Sequence, residues 1–385
     1  MDQPSAPLSR LNLMRLSLRP HGIQLILAGS SKSVETPWTL RKINGFWEVH
    51  FNVKDFPIYC HSKAMKFGRQ SAKFYQLALP ELFQKMGITG AITYSAQYQT
   101  VLPVFEYCRL NNKPIFADMV ELFDWKYRYF LNGVNFQEWL LIRRLLPCFD
   151  GLIGISHYWC DWAKGKGVPS VLVPSFAEDK GWVRSTQSPI DKPFTITFIG
   201  HWVERELPIT LLRAMRLCID QGIPIELNVL GNVGKSRWER KAMHFLKGDS
   251  VLQANVHFLG FVSDDERDQH LVNADAFVVL RKKCRETDAM FPTRLPEYML
   301  TGNPVIISEV GSFSKCFKHK KDVWFISKEN RPEDLAEAFE YLATHSEERS
   351  AIGRLGRVSA LNQFSMDVLG KRLASFIKQI VKNYN

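Results

Sequence analysis

The stretch Phe291-Pro-Thr-Arg-Leu-Pro-Glu-Tyr-Met-Leu-Thr-Gly-Asn-Pro-Val-Ile306 decides the fold. Phe291 to Thr293 reads as a turn into a helix, with Thr293 as the expected N-cap and Glu297 about one turn in. Gly302 suits the left-handed residue that ends a helix, and Asn303-Pro304 leads into the apolar strand Val305–Ser308. A short capped helix delivering the chain straight into a buried strand is how an α/β layer is built. The free amides and positive dipole end at the start of such a helix also form an anion site, to which Arg294 adds a cation.

Outward from this segment the alternation continues. Strands are expected at Phe194–Ile199, Ile225–Leu230, Asn255–Leu259 and Ala276–Leu280. Helices are expected at Leu207–Gln221, Ser236–Leu246, Asp264–Asn273 and Leu295–Leu300. Upstream, Ile23–Ala28, Ala91–Tyr94, Pro114–Phe116, Leu152–Ile155 and Ser170–Val173 read as strands. Ser71–Met86, Val101–Asn111, Gln137–Leu146 and Tyr158–Ala163 read as helices. Between the two series, Pro174 to Pro193 is polar and aperiodic, as a linker would be. The tail carries helical spacing over Pro332–His345, Glu347–Asn362 and Met366–Lys382. Strands alternating with helices imply parallel sheets covered on both faces. The expected fold class is therefore α/β, two doubly wound parallel-sheet domains facing a cleft, with C-terminal helices. Ligands of such sheets bind beyond the carboxyl ends of the strands, which points to the loops after Ile199, Leu230, Leu259 and Leu280. One feature is irregular. A doubly wound domain opens with a central strand, yet Met1–Pro20 is helical in character and the first strand signal is Ile23–Ala28.

With 385 residues, 45% hydrophobic and 23% charged, the chain suits about two to three globular domains. Its net charge of +11 favours an anionic partner: nucleic acid, an anionic membrane surface or a phosphorylated ligand. The seven cysteines, 60, 108, 148, 160, 218, 284 and 316, share no CxxC spacing, which argues for a reducing compartment and against a disulfide framework. There is no HExxH, no Walker loop and no GxSxG elbow, so no metal site is expected. No run of about eighteen apolar residues appears, and Met1 to Arg10 lacks a signal-peptide pattern. The expected location is the cytoplasm.

The Phe291–Ile306 segment resembles the signature of retaining glycosyltransferase family 4, the "glycosyl transferases group 1" type with the GT-B fold. Phe198-Ile-Gly200, Val229-Leu-Gly231, Val256-His-Phe-Leu-Gly-Phe261 and Asn273-Ala-Asp275 follow the family's order of blocks. The resemblance covers Phe194 to Asn362 well. It covers the first half more loosely, through Phe116-Ala-Asp118, Glu121 and Gly154-Ile-Ser156. It implies an acceptor-side Rossmann-like domain over 1–175, in which either the first strand is absent or the chain begins late, a linker over 176–193, a donor-nucleotide domain over 194–362, and a helix over 363–385 that can cross back. The implied activity is metal-independent transfer of a sugar, with retention, from a nucleotide-diphosphate sugar to a saccharide or lipid-linked acceptor. The setting is cell-surface polysaccharide or glycoconjugate synthesis, with no cofactor.

Carried over by position, the resemblance gives Glu297 the donor ribose. It gives Phe291, Pro292 and Thr293 with Gly200 the diphosphate, and Phe261 and Val262 the base, with Gly231 and Arg294 beside them. There are departures. The first carboxylate of the family's paired glutamates falls at Ala289, leaving adjacent Asp288 as a substitute. The phosphate-binding cations fall at His201 and Glu206, leaving Arg205, Arg281, Lys282 and Lys283 as replacements. The family's histidine is missing near Val120. Asp118 and Glu121 share that loop and could orient or deprotonate an acceptor hydroxyl.

Plainer readings stand beside these: a capped helix at 293–300, a solvated basic loop at 281–283, and a helix-capping acid at Asp118. The basic stretch with Lys63, Lys66, Arg69 and Lys73 is either a solvated helix face or a contact to anionic lipid at the inner face of the plasma membrane. The departures also allow a non-catalytic sugar-nucleotide-binding or partner subunit of GT-B fold. No nucleic-acid module is recognisable, so no nucleic-acid partner is expected.

Overall fold

The computed structural model describes residues 6–30, 38–51, 63–94, 97–122, 133–182, 192–231 and 236–384, without the side chains of residues 6, 7, 30, 63–68, 133 and 134. They fall into two compact units. The first holds Met1–Phe176, Ala289–Phe291 and Met366–Asn385; the second holds Ala177–Asp288 and Pro292–Ser365.

The first unit has two sheets. β1 (Leu27–Ser30), β2 (Trp38–Ile43) and β3 (Phe46–Phe51) lie in the order β1-β3-β2, with β1 parallel to β3. β2 and β3 form an antiparallel hairpin around Asn44 and Gly45, whose φ values of 50° and 81° fit a tight two-residue turn. β4 (Ala91–Thr93), β5 (Ile115–Met119), β6 (Gly151–Gly154) and β7 (Ser170–Leu172) form a parallel sheet in that order. Helices Ala6–Leu18 and Met366–Val381 share a core with β5 and β6, where Met14 and Leu18 join Phe116, Ile153, Leu369 and Leu373. Gly370 permits that pairing, because a Cβ there would lie 2.4 Å from the Ser17 carbonyl oxygen.

Three expectations need correction in this unit. The strand expected over 23–28 forms only at Leu27–Ser30. The hairpin Trp38–Phe51 adds two strands beyond the expected set. The single helix expected over 137–146 is a helix Gly133–Leu140 followed by a π turn Leu141–Leu145 and a 3-10 turn Leu146–Cys148. Pro147, which has no amide to donate, sits in that last turn.

The second unit is one all-parallel sheet of β8 (Phe194–Ile199), β9 (Ile225–Leu230), β10 (Val256–Gly260), β11 (Ala276–Val279), β12 (Val305–Ser308) and β13 (Trp324–Ile326). The order is β10-β9-β8-β11-β12-β13, so the winding reverses between β8 and β11. Its core joins Ile196, Phe198, Leu227 and Val278 to Leu211, Met215 and Phe339 of the covering helices. Ser236 with Glu239, and Ser263 with Glu266, close capping boxes that start helices Arg237–Lys247 and Asp264–Asn273. Residues 177–180 of the expected linker are anchored in this unit. Ala177 bridges Ser365, Asp179 pairs with Arg357 at 2.8 Å, and Lys180 pairs with Asp268 at 2.9 Å. Linker residues 183–191 lie outside the described residues.

Candidate functional site

In an open α/β sheet the reversal of strand order leaves a crevice at the carboxyl ends of the two central strands. Here those ends are Ile199-Gly200 on β8 and Leu280-Arg281 after β11. Bare backbone lines the β8 side. Gly200 has φ +127° and Gly231 has φ +118°. A Cβ on Gly231 would lie 2.9 Å from the Gly200 carbonyl oxygen, and one on Gly200 would lie 2.7 Å from Arg294 Nη1. The Gly200 amide donates to Leu230 at 2.9 Å and the Gly231 amide donates to Gly260 at 2.7 Å. Only glycine satisfies both the backbone angles and the close approach. The rest of the Gly231–Gly234 turn is outside the described residues.

Beside this floor two guanidinium groups share one carboxylate. Arg281 and Arg294 both donate to Glu206 Oε2. Arg281 also donates to the Leu280 carbonyl at 2.8 Å, and Arg294 to the Ile199 carbonyl at 2.6 Å, while the Arg294 guanidinium lies 4.6 Å from the centre of the Phe198 ring. Burial alone would raise the Glu206 carboxyl, but Arg281 and Arg294 outweigh it and hold the group below its ordinary value. Burial brings Arg281 down to about 10; Glu206 opposes the fall and Arg294 adds to it. Two buried cations against one anion leave one positive charge in excess. The segment bearing Arg281 is fixed from below: its amide donates to Ser308 Oγ at 2.8 Å, and Asn330 Nδ2 donates to its carbonyl at 3.0 Å.

The helix Arg294–Leu300 is keyed to β8 by Tyr298, whose hydroxyl accepts from the Ile199 amide at 2.9 Å and whose ring stacks on Phe277 at 4.2 Å. Burial pushes the Tyr298 phenol up to about 12, so it stays protonated. Thr293 departs from expectation. It has helical angles (φ −62°, ψ −32°), its side chain caps nothing, and it is exposed. The turn closes instead through Leu295, whose amide donates to the Pro292 carbonyl at 3.2 Å. Glu297 is a third exposed and 3.6 Å from Arg267. Burial raises its carboxyl, with Arg267 and Lys180 opposing.

The other expected residues are distributed as follows. Phe291 and Pro292 are buried. Phe261 is 82% exposed after β10, next to half-buried Val262. His201 is exposed and 3.5 Å from Glu239. Arg205 is exposed, and Lys282 is exposed 3.4 Å from Glu204. Asp288 is half-buried; burial raises its carboxyl, and a hydrogen bond from the Gly311 amide opposes that. Glu206, which the sequence presents only as a departure, is the organiser of the cluster. In the first unit the structure removes Asp118 from the acceptor role. It is buried, with Arg10 donating to both its oxygens at 3.0 and 2.8 Å, and is a structural ion pair. Glu121 is exposed just past β5. Among the described residues no cluster of His, Cys, Asp or Glu could hold a metal ion, and no helix is long and apolar enough to cross a membrane.

Residues 183–358 match the family model for glycosyl transferases group 1. Residues 183–358 are thus similar to a group 1 glycosyltransferase domain. That domain coincides with the β8–β13 sheet and every candidate described above on it. Solved structures share the fold across the chain. Sucrose-phosphate synthase from Thermosynechococcus elongatus aligns with a TM-score of 0.74 at 14% identity, over 97% of this chain and 93% of that one. Anabaena Alr3699/HepE, in complex with UDP and glucose, aligns at 0.71 and 12%, over 98% and 97%. A glycosyltransferase from Rickettsia africae aligns at 0.71 and 13%, over 98% and 95%. These likenesses agree with a GT-B fold of two Rossmann-like units. No curated protein matches the sequence.

Proposed function

We propose that the group 1 domain holds a nucleotide-diphosphate sugar at the β8/β11 switch point, and that the chain transfers the sugar to a saccharide or lipid-linked acceptor with retained configuration, as family 4 enzymes do. The observation that carries this reading is the Arg281–Glu206–Arg294 cluster. An excess buried positive charge beside a glycine floor suits a diphosphate, whose arrival would relieve the repulsion between the two guanidinium groups. When the glycosyl bond breaks, the diphosphate leaves with its electron pair. Exposed Arg205 and Lys282, with the cluster behind them, favour that anion without a metal or cofactor. Glu297 is suited to accept hydrogen bonds from ribose hydroxyls, and the exposed Phe261 to cover a base. The complex of the similar-fold Alr3699/HepE with UDP and glucose supports a uridine donor. Work at the inner face of the plasma membrane is part of the proposal. It rests on exposed Arg69 and Lys73; the side chains of Lys63 and Lys66 lie outside the described residues.

A second reading, a sugar-nucleotide-binding subunit without turnover, is favoured by one observation. Ala289 is fully buried, and the neighbouring Asp288 accepts from the Gly311 amide. A thermal-shift panel of UDP-, GDP- and ADP-sugars followed by NMR of the products separates the two. Binding with transfer and an unchanged anomeric configuration supports the enzyme. Binding without turnover supports the subunit. No shift with any sugar nucleotide would remove both.

A further inference from the structure

The sheet of the second unit is continuous, with its first strand β8 between its second, β9, and its fourth, β11. The first unit repeats this plan with a gap. Helix Ala6–Leu18 leads into β1, as helix Pro208–Asp220 leads into β9. Yet β1 ends one sheet and β4 ends the other, and among the described residues no strand lies between them. Both strands border one cavity of about 820 Å³. Its walls are more apolar than polar, with Leu25, Leu27, Val49, Leu82, Ile92 and Phe116 among them. Helix Ala6–Leu18 is fastened to both sheets. Arg10 is paired with Asp118 on β5, and Arg15 donates to Glu48 on β3 at 2.6 Å in a second buried pair. Helix Ala6–Leu18 therefore ties the two half-sheets together beside the cavity.

The chemistry of the gap selects an occupant. A sheet edge presents a row of backbone donors and acceptors that need partners. The Ala91 amide donates toward β5, to the Pro114 carbonyl at 3.0 Å. The alternation of a strand then sends the Ile92 amide the opposite way, into the cavity. A hydrocarbon chain would match the walls and leave such groups unpaired. An extended apolar peptide would match both. We infer that the cavity takes up an apolar peptide segment as an added parallel strand between β1 and β4, by the strand-addition mode of recognition. A five-residue strand, about 17 Å long, is the size in question.

The test uses the full chain, the synthetic peptide acetyl-Lys-Val-Ile-Val-Ile-Val-Lys-amide, the same peptide N-methylated at alternate amides, and decanoate. Amide hydrogen exchange is read at residues 27–30 and 91–93. Saturable binding that slows exchange at least tenfold in both strands, and that the N-methylated peptide does not reproduce, is expected. Ile92→Pro removes the inward amide, and Leu25→Trp fills the cavity while leaving every amide in place. Each should weaken peptide binding at least tenfold with the helical circular dichroism retained. No peptide binding, equal protection by the N-methylated peptide or by decanoate, or full binding by a folded Leu25→Trp variant overturns the inference.

Discussion

Replacing Glu206 by Gln tests the electrostatics of the second unit most directly. The side chains of Glu206, Arg281 and Arg294 are 6%, 10% and 15% exposed, so water can do little to compensate the loss. Breaking a buried pair from one side typically costs about 3–5 kcal/mol, because the remaining charges stay buried and uncompensated. Here two guanidinium groups would be left facing each other. The expected readout is exchange of the β8 and β11 amides roughly 10²- to 5 × 10³-fold faster than in the wild type, if they exchange through opening of this unit. The pH dependence has a definite sign. The folded carboxyl is held below its unfolded value near about 4.3, so its stabilisation is complete above that pH and lost as the pH falls through the folded value. The variant should lack that acid loss. Adding Arg281→Met to Glu206→Gln should recover part of the stability by removing the repulsion. UDP, which brings back negative charge, should protect the variant more than the wild type. Exchange within threefold of the wild type in Glu206→Gln would refute the reasoning, as would a double variant no more stable than the single one.

Glu297→Gln should leave thermal stability unchanged or slightly higher, since burial disfavours the charged carboxylate, while weakening UDP-sugar binding about tenfold by isothermal titration. Gly231→Ala forces a Cβ to 2.9 Å from the Gly200 carbonyl oxygen at φ +118°. It should lower stability by about 1–3 kcal/mol in urea and reduce donor affinity with it. In the first unit Arg10→Met should cost about 3–5 kcal/mol by stranding Asp118, and Arg10→Met with Asp118→Leu should recover part of it, since the Val173 and Pro174 carbonyls that Arg10 also bonds stay unpaired; equal loss in both would contradict the buried ion pair.

The second unit is legible because β11 and β12 are buried along their whole length, giving continuous apolar runs such as Ala276–Leu280. β13 escapes a pattern reading because Trp324–Ile326 is three residues long. The hairpin Trp38–Phe51 carries a short-range signal, Asn44-Gly45 between apolar residues, but the half-polar strand Trp38–Ile43 beside it has no clear alternation. The site was half legible. Gly200, Arg281 and Arg294 announce themselves as loop glycine and cations, but their common partner Glu206 lies 75 and 88 residues from the two arginines. Local inspection sees it only as a carboxylate where a cation is expected. Asp118 erred the other way. Its partner Arg10 is 108 residues upstream, and without it the acid looks free.

Gly370, packed against Ser17, has a consequence for biosynthesis. The residues that complete the N-terminal core, Met366–Val381, are translated after the whole β8–β13 layer. A ribosome carrying this chain exposes a finished β8–β13 layer while the earlier half still lacks a wall. Synthesis of this late helix, rather than translation of the first half, then times its closure. A bulky fusion placed after residue 381 would burden that final docking step more than one placed at the opposite end of the gene.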